Sequence, residues 1–321
     1  MSEFEFITRI TKRLSRTGND RRDAEGDLGE NSTSDGAPDL VDIGPGDDAA
    51  VVRTPDGRVV ATSDLLIEGR HFRRDWSGPY DVGRKAAAQN LADVVAMGAR
   101  PTALLIGFGV PPGLAMEWAE RLYDGLRDEC DVVGAVVAGG DVVRAPVVTL
   151  AVTALGDLAG RAPLLRAGAR PGDVVAVRGR LGFAAAGFDL LERGVDGPAV
   201  LLDAHRRPRP PYDAGEEASR LGATALIDVS DGLVQDLGHI AAASGARIDL
   251  DDAALPIPAE LGPDGRVFVL TGGDDHAFAG TFPPGTTLPA TWRAIGRVVA
   301  GEGVTIDGRS HDLTGWDHFR Q

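Results

Sequence analysis

Acidic residues recur behind apolar runs along this chain. Asp47 and Asp48 sit in I-G-P-G-D-D-A-A-V, Asp64 closes V-V-A-T-S-D behind Thr62 and Ser63, and Asp141 closes A-V-V-A-G-G-D. Asp228 and Asp231 share A-L-I-D-V-S-D-G, and Asp274 and Asp275 follow R-V-F-V-L-T-G-G. Asp93 stands among Leu91, Val94 and Val95, one helical turn after Asn90. Any one acid at a strand end is ordinarily a turn former or a helix cap. The set reads differently. Apolar strands fix backbone direction, and if these strands converge, several carboxylates face one another. Their repulsion raises their pKa values and is costly unless a cation neutralises it. Carboxylates and hydroxyls are hard ligands, suited to Mg2+ or Ca2+ and poorly suited to zinc or copper.

Other chemistries lack their signatures. No Cys/His spacing of a zinc site occurs. Walker A, the protein-kinase set, G-x-S-x-G and the EF-hand loop are all missing. Cys130, the only cysteine, reads as following a helix between acids, which disfavours a thiolate. The six histidines show no partner spacing, and no His–Asp or Ser–His pair suggests a general base. His71, in E-G-R-H-F seven residues after Asp64, is either a surface loop residue or a group set beside the acids.

Elements must position these groups. Residues 2–15 have helical spacing, and the polar, Gly-rich stretch 16–38 reads as a mobile insertion. A-A-V-V-R-T-P-D-G-R-V-V-A-T predicts a hairpin around P-D-G. A helix over 80–98 and strand T-A-L-L-I-G-F-G-V follow. Next come a helix carrying Leu114, Trp118, Leu122 and Leu126, then strands V-V-G-A-V-V-A and A-P-V-V-T-L-A-V-T-A-L-G. Together they predict an α+β domain over 1–156. A second domain over 157–321 contains strands D-V-V-A-V-R and A-T-A-L-I-D-V, and R-V-F-V-L-T-G-G-D-D reads as one more. Its S-D-G-L-V-Q-D-L-G-H-I helix is capped by Ser230 or Asp231 and stopped by Gly245.

Composition bounds the function class. The 321 residues suffice for two domains, 43% are hydrophobic, and the net charge is −15. That charge argues against nucleic acid and anionic membranes as partners. No run of about 18 apolar residues suggests a membrane span. With no signal-peptide pattern and one cysteine, the expected compartment is the cytoplasm. Lysine is confined to Lys12 and Lys85.

Seven ordered pieces carry a resemblance. They are I-G-P-G-D-D-A-A-V-V, T-S-D-L-L-I-E-G-R-H-F, K-A-A-A-Q-N-L-A-D-V-V-A-M-G-A-R-P, G-G-D-V-V-R, L-R-A-G-A-R-P-G-D, I-D-V-S-D-G-L-V-Q-D-L-G-H-I and G-G-D-D-H-A-F. With the terminal G-W-D-H-F, they resemble the thiamine-monophosphate kinase family over 2–14 and 41–321. The resemblance implies the two-domain fold of aminoimidazole ribonucleotide synthetase. Its N-terminal α+β domain binds ATP and dimerises through its sheet, and an α/β sandwich domain follows. It implies phosphorylation of thiamine monophosphate to thiamine diphosphate by ATP, with several Mg2+ ions, room for K+ and no general base. By position, Asp48, Thr62, Ser63, Asp64, Asp93, Asp141, Asp228 and Asp231 resemble metal ligands. Tyr123, Gly140, Asp141, Arg166 and Ser230 resemble ATP contacts, and His71, Asp274 and Trp316 resemble substrate contacts. The chain departs from the family at G-G-D-D-H-A-F, where G-G-E-D-Y-E-L is usual, so Asp274 is one methylene shorter. Two other readings fit the acids: an ATP-dependent synthetase of the same superfamily, and a non-catalytic nucleotide or metal sensor.

Overall fold

The computed structural model describes Arg9, residues 40–43 and residues 50–316. Asp47, Asp48, the insertion at 16–38 and all of the 2–15 helix but Arg9 lie outside the described residues. The chain divides into a first unit, Met1–Asn90 with Pro101–Asp157, and a second, Leu91–Arg100 with Leu158–Gln321.

In the first unit β1 (Val41–Ile43) pairs antiparallel with β2 (Val51–Val52). A four-stranded sheet follows from β3 (Val60–Ile67), β4 (Arg100–Val110), β5 (Val136–Arg144) and β6 (Thr149–Asp157), in the order β3-β6-β4-β5. Helices α1 (Pro79–Ala96) and α2 (Met116–Val133) complete it. Their backbones pack closely because two positions lack side chains. A Cβ on Gly83 would collide with the Leu122 carbonyl, and one on Gly125 with the Tyr80 carbonyl. Arg84 pairs with Glu129 across this contact, and the Tyr80 hydroxyl donates to Asp128 at 3.0 Å.

The second unit is built on a six-stranded sheet, ordered β12-β9-β11-β7-β10-β8. Its strands are β7 (Val174–Arg178), β8 (Ala225–Val229), β9 (Arg247–Leu250), β10 (Ala277–Phe282), β11 (Arg293–Val299) and β12 (Gly303–Ile306). All pairs are antiparallel except β12 with β9. The helices are α3 (Phe183–Glu192), α4 (Ala199–Arg206), α5 (Ala214–Arg220), α6 (Leu233–Ser244) and α7 (Gly265–Thr271). The strand period of two gives the sheet two cores. Val177, Ile227, Val229 and Ala279 join Leu233 and Leu237 of α6. Ala176, Leu226 and Phe278 join Ala92, Val95 and Ala96 from the end of α1 and Ala214 and Ala218 of α5.

Several expectations are corrected. The P-D-G turn forms, with Gly57 N–H donating to the Thr54 carbonyl at 2.9 Å, but the hairpin does not. β2 pairs with β1 and β3 with β6, so the flanking runs take different partners. R-V-F-V-L-T is the helix α7, because a short apolar run does not distinguish helix from strand by period. Cys130 lies inside α2, where burial and the neighbouring Glu129 and Asp131 push its thiol up. Thr62–Asp64 and Asp141 lie within β3 and β5, not at their ends. Gly232, not Ser230 or Asp231, is the N-cap residue of α6, while Gly245 stops it in a left-handed conformation. No helix among the described residues is long and apolar enough to cross a membrane.

Candidate functional site

In the first unit, β3 alternates. Thr62, Asp64 and Leu66 turn toward the covered face, while Ala61, Ser63 and Leu65 turn to the exposed one. Helix α1 grips Asp64 twice. Gln89 Nε2 donates to its carboxylate at 3.1 Å, and its backbone N–H donates to Asn90 Oδ1 at 3.2 Å. Asn90 is itself fixed by a bond from Nδ2 to the Ala86 carbonyl at 2.9 Å. Ser63 accepts from the Thr153 hydroxyl at 3.1 Å on the other face, so alternation separates its side chain from Thr62 and Asp64. Four residues beyond the end of β3, the ring of His71 folds back, its Nδ1 accepting from Ile67 N–H at 3.0 Å.

Asp141 is exposed on β5, opposite Gly107. A Cβ on Gly107 would meet Ala151, which pairs with Leu65, so Asp141 belongs to the exposed face. β3 and β5 are opposite edges of the sheet, three strand spacings or about 14 Å apart. One chain therefore does not bring Asp64 and Asp141 together. Gly140 approaches β4 so closely that a Cβ would collide with the Ile106 carbonyl. Tyr123 is buried against Phe108, with ring centroids 6.2 Å apart, and burial pushes its phenol up. Its ring belongs to the core.

In the second unit the S-D-G turn is the hub. Asp228 is 4% exposed in the fully buried strand β8, on the face shared with Leu226 and Phe278. His276 is also 4% exposed, and its Nδ1 lies 3.2 Å from Asp228 Oδ2. This pair corrects the expectation that no His–Asp pair exists. Sequence separation hid it: β8 and β10 pair, placing Asp228 opposite Phe278. Burial alone pulls the imidazole pKa down, but the bond and charge of Asp228, with Asp274 and Asp93 nearby, outweigh it and raise the net value. Asp93, half-buried on α1, thus faces the same group of acids.

Asp236 organises the turn from α6. Its carboxylate accepts from Asp231 N–H at 3.1 Å and Gly232 N–H at 3.0 Å, satisfying two backbone donors at the start of α6. Burial first, then the charges of Asp228 and Asp231, push it up to about 7. Two further segments lock onto the turn. Asp274 N–H donates to the Ser230 carbonyl at 2.8 Å, and Trp316 N–H to the Asp231 carbonyl at 2.8 Å. Gln235 Nε2 donates to the Trp316 carbonyl at 2.7 Å, leaving the indole 51% exposed. Asp228, Ser230, Asp231, Asp274 and Trp316 are therefore neighbours. Arg166 is exposed on a separate loop, its carbonyl accepting from Ser244 at 3.3 Å. Asp275 serves the fold: its buried carboxylate accepts from the N–H groups of Gly182 and Ala184 at the start of α3.

Among the described residues, no group of three or more His, Cys, Asp or Glu side chains is arranged to hold a metal ion. The donors still suit Mg2+, which commonly takes one or two carboxylates and completes its shell with water and substrate phosphates. The paired carboxylates that raise Asp236 are charges a bound cation would offset.

Two domain families match, AIR synthase related protein, N-terminal domain, over residues 46–158, and its C-terminal domain over 170–308. Thiamine-monophosphate kinase of Mycobacterium tuberculosis is 49% identical over 292 residues, covering 88% of this chain and 87% of that protein. The chain belongs to the thiamine-monophosphate kinase family. The crystal structure of thiamine-monophosphate kinase from Stenotrophomonas maltophilia K279a aligns with TM-score 0.79 and 32% identity, over 97% of this chain and 98% of that one. A second structure, AaThiL complexed with AMPPCP and TMP, aligns with TM-score 0.78 and 34% identity, over 85% and 91%. Within this thiamine-monophosphate kinase-family chain, Gln89, Asn90, Asp236 and His276 are the site residues that sequence reasoning missed. Asn90, one turn before Asp93, and Asp236, in the helix's first turn, were the legible signals.

Proposed function

We propose that the protein transfers the γ-phosphoryl group of ATP to thiamine monophosphate, giving thiamine diphosphate and ADP. The observation that carries this is the 49% identity to a thiamine-monophosphate kinase over 88% of the chain. The complex of a 34% identical relative with AMPPCP and TMP supports both substrates.

The chemistry agrees with the residues. A phosphate monoester is largely dianionic at pH 7, so the acceptor needs no base to deprotonate it. It needs its charge offset as it approaches ATP. Mg2+, when bound, would supply that positive charge. Thr62 and Asp64 would hold such an ion in the first unit, and Asp93, Asp228 and Asp231 would hold another in the second. Asp48 would join them by the family pattern. Gln89 and Asn90 keep Asp64 in one rotamer, and Asp236 keeps the S-D-G turn in one shape. Gly140, Ser230 and the exposed Arg166 would contact the nucleotide by the family pattern. Tyr123 would act from beneath, as packing. His71, Asp274 and the exposed Trp316 would receive the thiamine substrate. A net charge of −15 fits a site whose positive charge comes from metal ions.

A homodimer completes the reading. Ser63 and Asp141 share the exposed face but occupy opposite edges of the sheet, so only a second copy would bring them together. Leu65 and Val143, each 55% exposed on those edge strands, offer the apolar surface.

A coupled ADP assay tests the function. ADP should appear with ATP, Mg2+ and thiamine monophosphate, and not with thiamine itself. A purified chain that yields no thiamine diphosphate between pH 6 and 9 would overturn the reading.

A further inference from the structure

His276 occupies the place where the family pattern usually has Tyr. Both its nitrogens are accountable. Nδ1 lies 3.2 Å from Asp228 Oδ2, and Nε2 is buried with no hydrogen-bond partner. The backbone holds the ring there at some cost. His276 has φ +50° and Asp274 φ +64°, left-handed values that non-glycine residues adopt uncommonly. Four bonds maintain the turn: His276 N–H to the Val229 carbonyl at 3.1 Å, Asp274 N–H to the Ser230 carbonyl at 2.8 Å, and the two that the Asp275 carboxylate accepts from Gly182 and Ala184. A strained turn that is overdetermined by its surroundings points to a role for the side chain it presents.

We infer that His276 is a positioning residue for Asp228: its Nδ1–H holds Oδ2, which turns the other carboxylate oxygen, Oδ1, toward the divalent cation. This rests on the proposed metal role of Asp228 and deepens it. Packing alone does not fix a carboxylate, whose terminal torsion is broad and two-fold. In β8 every other side chain is apolar, so the imidazole is the group that selects the rotamer. The unpartnered Nε2 marks the ring as more than filler. A buried polar atom left unpaired is destabilising, a cost that an apolar residue here would avoid.

Two amides separate this role from space filling. In His276→Asn the amide nitrogen stands near the Nδ1 position, and Asn tolerates positive φ. In His276→Gln it stands near Nε2 and cannot reach Asp228 in the same way. Mn2+ alone is titrated into the full chain, with free Mn2+ read by electron paramagnetic resonance, and folding is checked by thermal melting. Outer-shell partners of metal ligands typically change affinity about 10–100-fold. His276→Gln should therefore bind Mn2+ at least about tenfold more weakly, and His276→Asn should recover most of that loss. Equal Mn2+ affinity in Gln, Asn and wild type overturns the inference. So does equal loss in both variants, or failure of both to fold, either of which makes His276 structural. A wild-type chain that binds no Mn2+ overturns it as well. Thiamine diphosphate formation by the wild type is measured separately, so a wrong substrate and a wrong role for His276 give different results.

Discussion

Asp64 shows how a single side chain is prepared for chemistry. It is held by Gln89 Nε2 on one oxygen and by Asn90 through its own backbone. Asp64→Asn keeps the shape and can still accept from Gln89, but removes the charge. Turnover should fall by roughly 10²-fold or more, the scale of a lost electrostatic contact in phosphoryl transfer, with the melting temperature little changed. Asp275 tests a different property. Burial, against the N–H bonds of Ala184 and Gly182, pushes its carboxyl up to about 7 from 3.8. The folded state thus binds this proton more tightly than the unfolded chain does. Its contribution to stability is complete below about pH 4 and is lost as pH rises through about 7. Asp275→Asn cannot titrate, so its melting temperature should fall less than that of wild type between pH 5 and pH 8. A steeper fall in the variant would contradict the assignment.

At the scale of elements, the first unit depends on how closely α1 meets α2. Gly83→Ala would drive a methyl into the Leu122 carbonyl, and Gly125→Ala would do the same at Tyr80. Overpacking of this kind costs about 1–3 kcal/mol, or more where backbone must move. Each variant should show a lower denaturation midpoint. Because Gln89 and Asn90 ride on α1, each should also lose activity under conditions where it remains folded. Gly315 plays a comparable part in the second unit. A Cβ there would collide with the Asp231 carbonyl, so Gly315→Ala should detach the Trp316 segment from the S-D-G turn. Steady-state kinetics should then show a raised KM for thiamine monophosphate and an unchanged KM for ATP.

At the scale of the whole molecule, catalysis is expected to need both metal ions and a second copy. Chelation by EDTA should abolish ADP formation, and added Mg2+ should restore it. Leu65→Lys puts a charge on the exposed face of edge strand β3. Sedimentation should move from dimer to monomer, with activity lost in parallel. A monomeric variant with full activity would show that Asp141 works without a partner.

The order of apolar runs and acids pointed to the family and to its two AIR synthase related domains, both of which the comparisons show. These depend on residue types and local spacing, which a sequence states directly. Strand period even contained the split between Thr62–Asp64 and Ser63, although the motif reads as one unit. Partnership was beyond local spacing. The V-V-A-T-S-D run resembles half of a hairpin, yet its partner is β6, about ninety residues away. R-V-F-V-L-T became a helix because packing, not its own period, chose the conformation. His276 met Asp228 only through the pairing of β8 with β10, 48 residues apart in the chain. Asp64 and Asp141, two acids with the same local pattern, were sent to opposite edges of one sheet. Residue chemistry is a local property, but which groups share a face or an edge is set by long-range strand order, and that the tertiary structure alone decided.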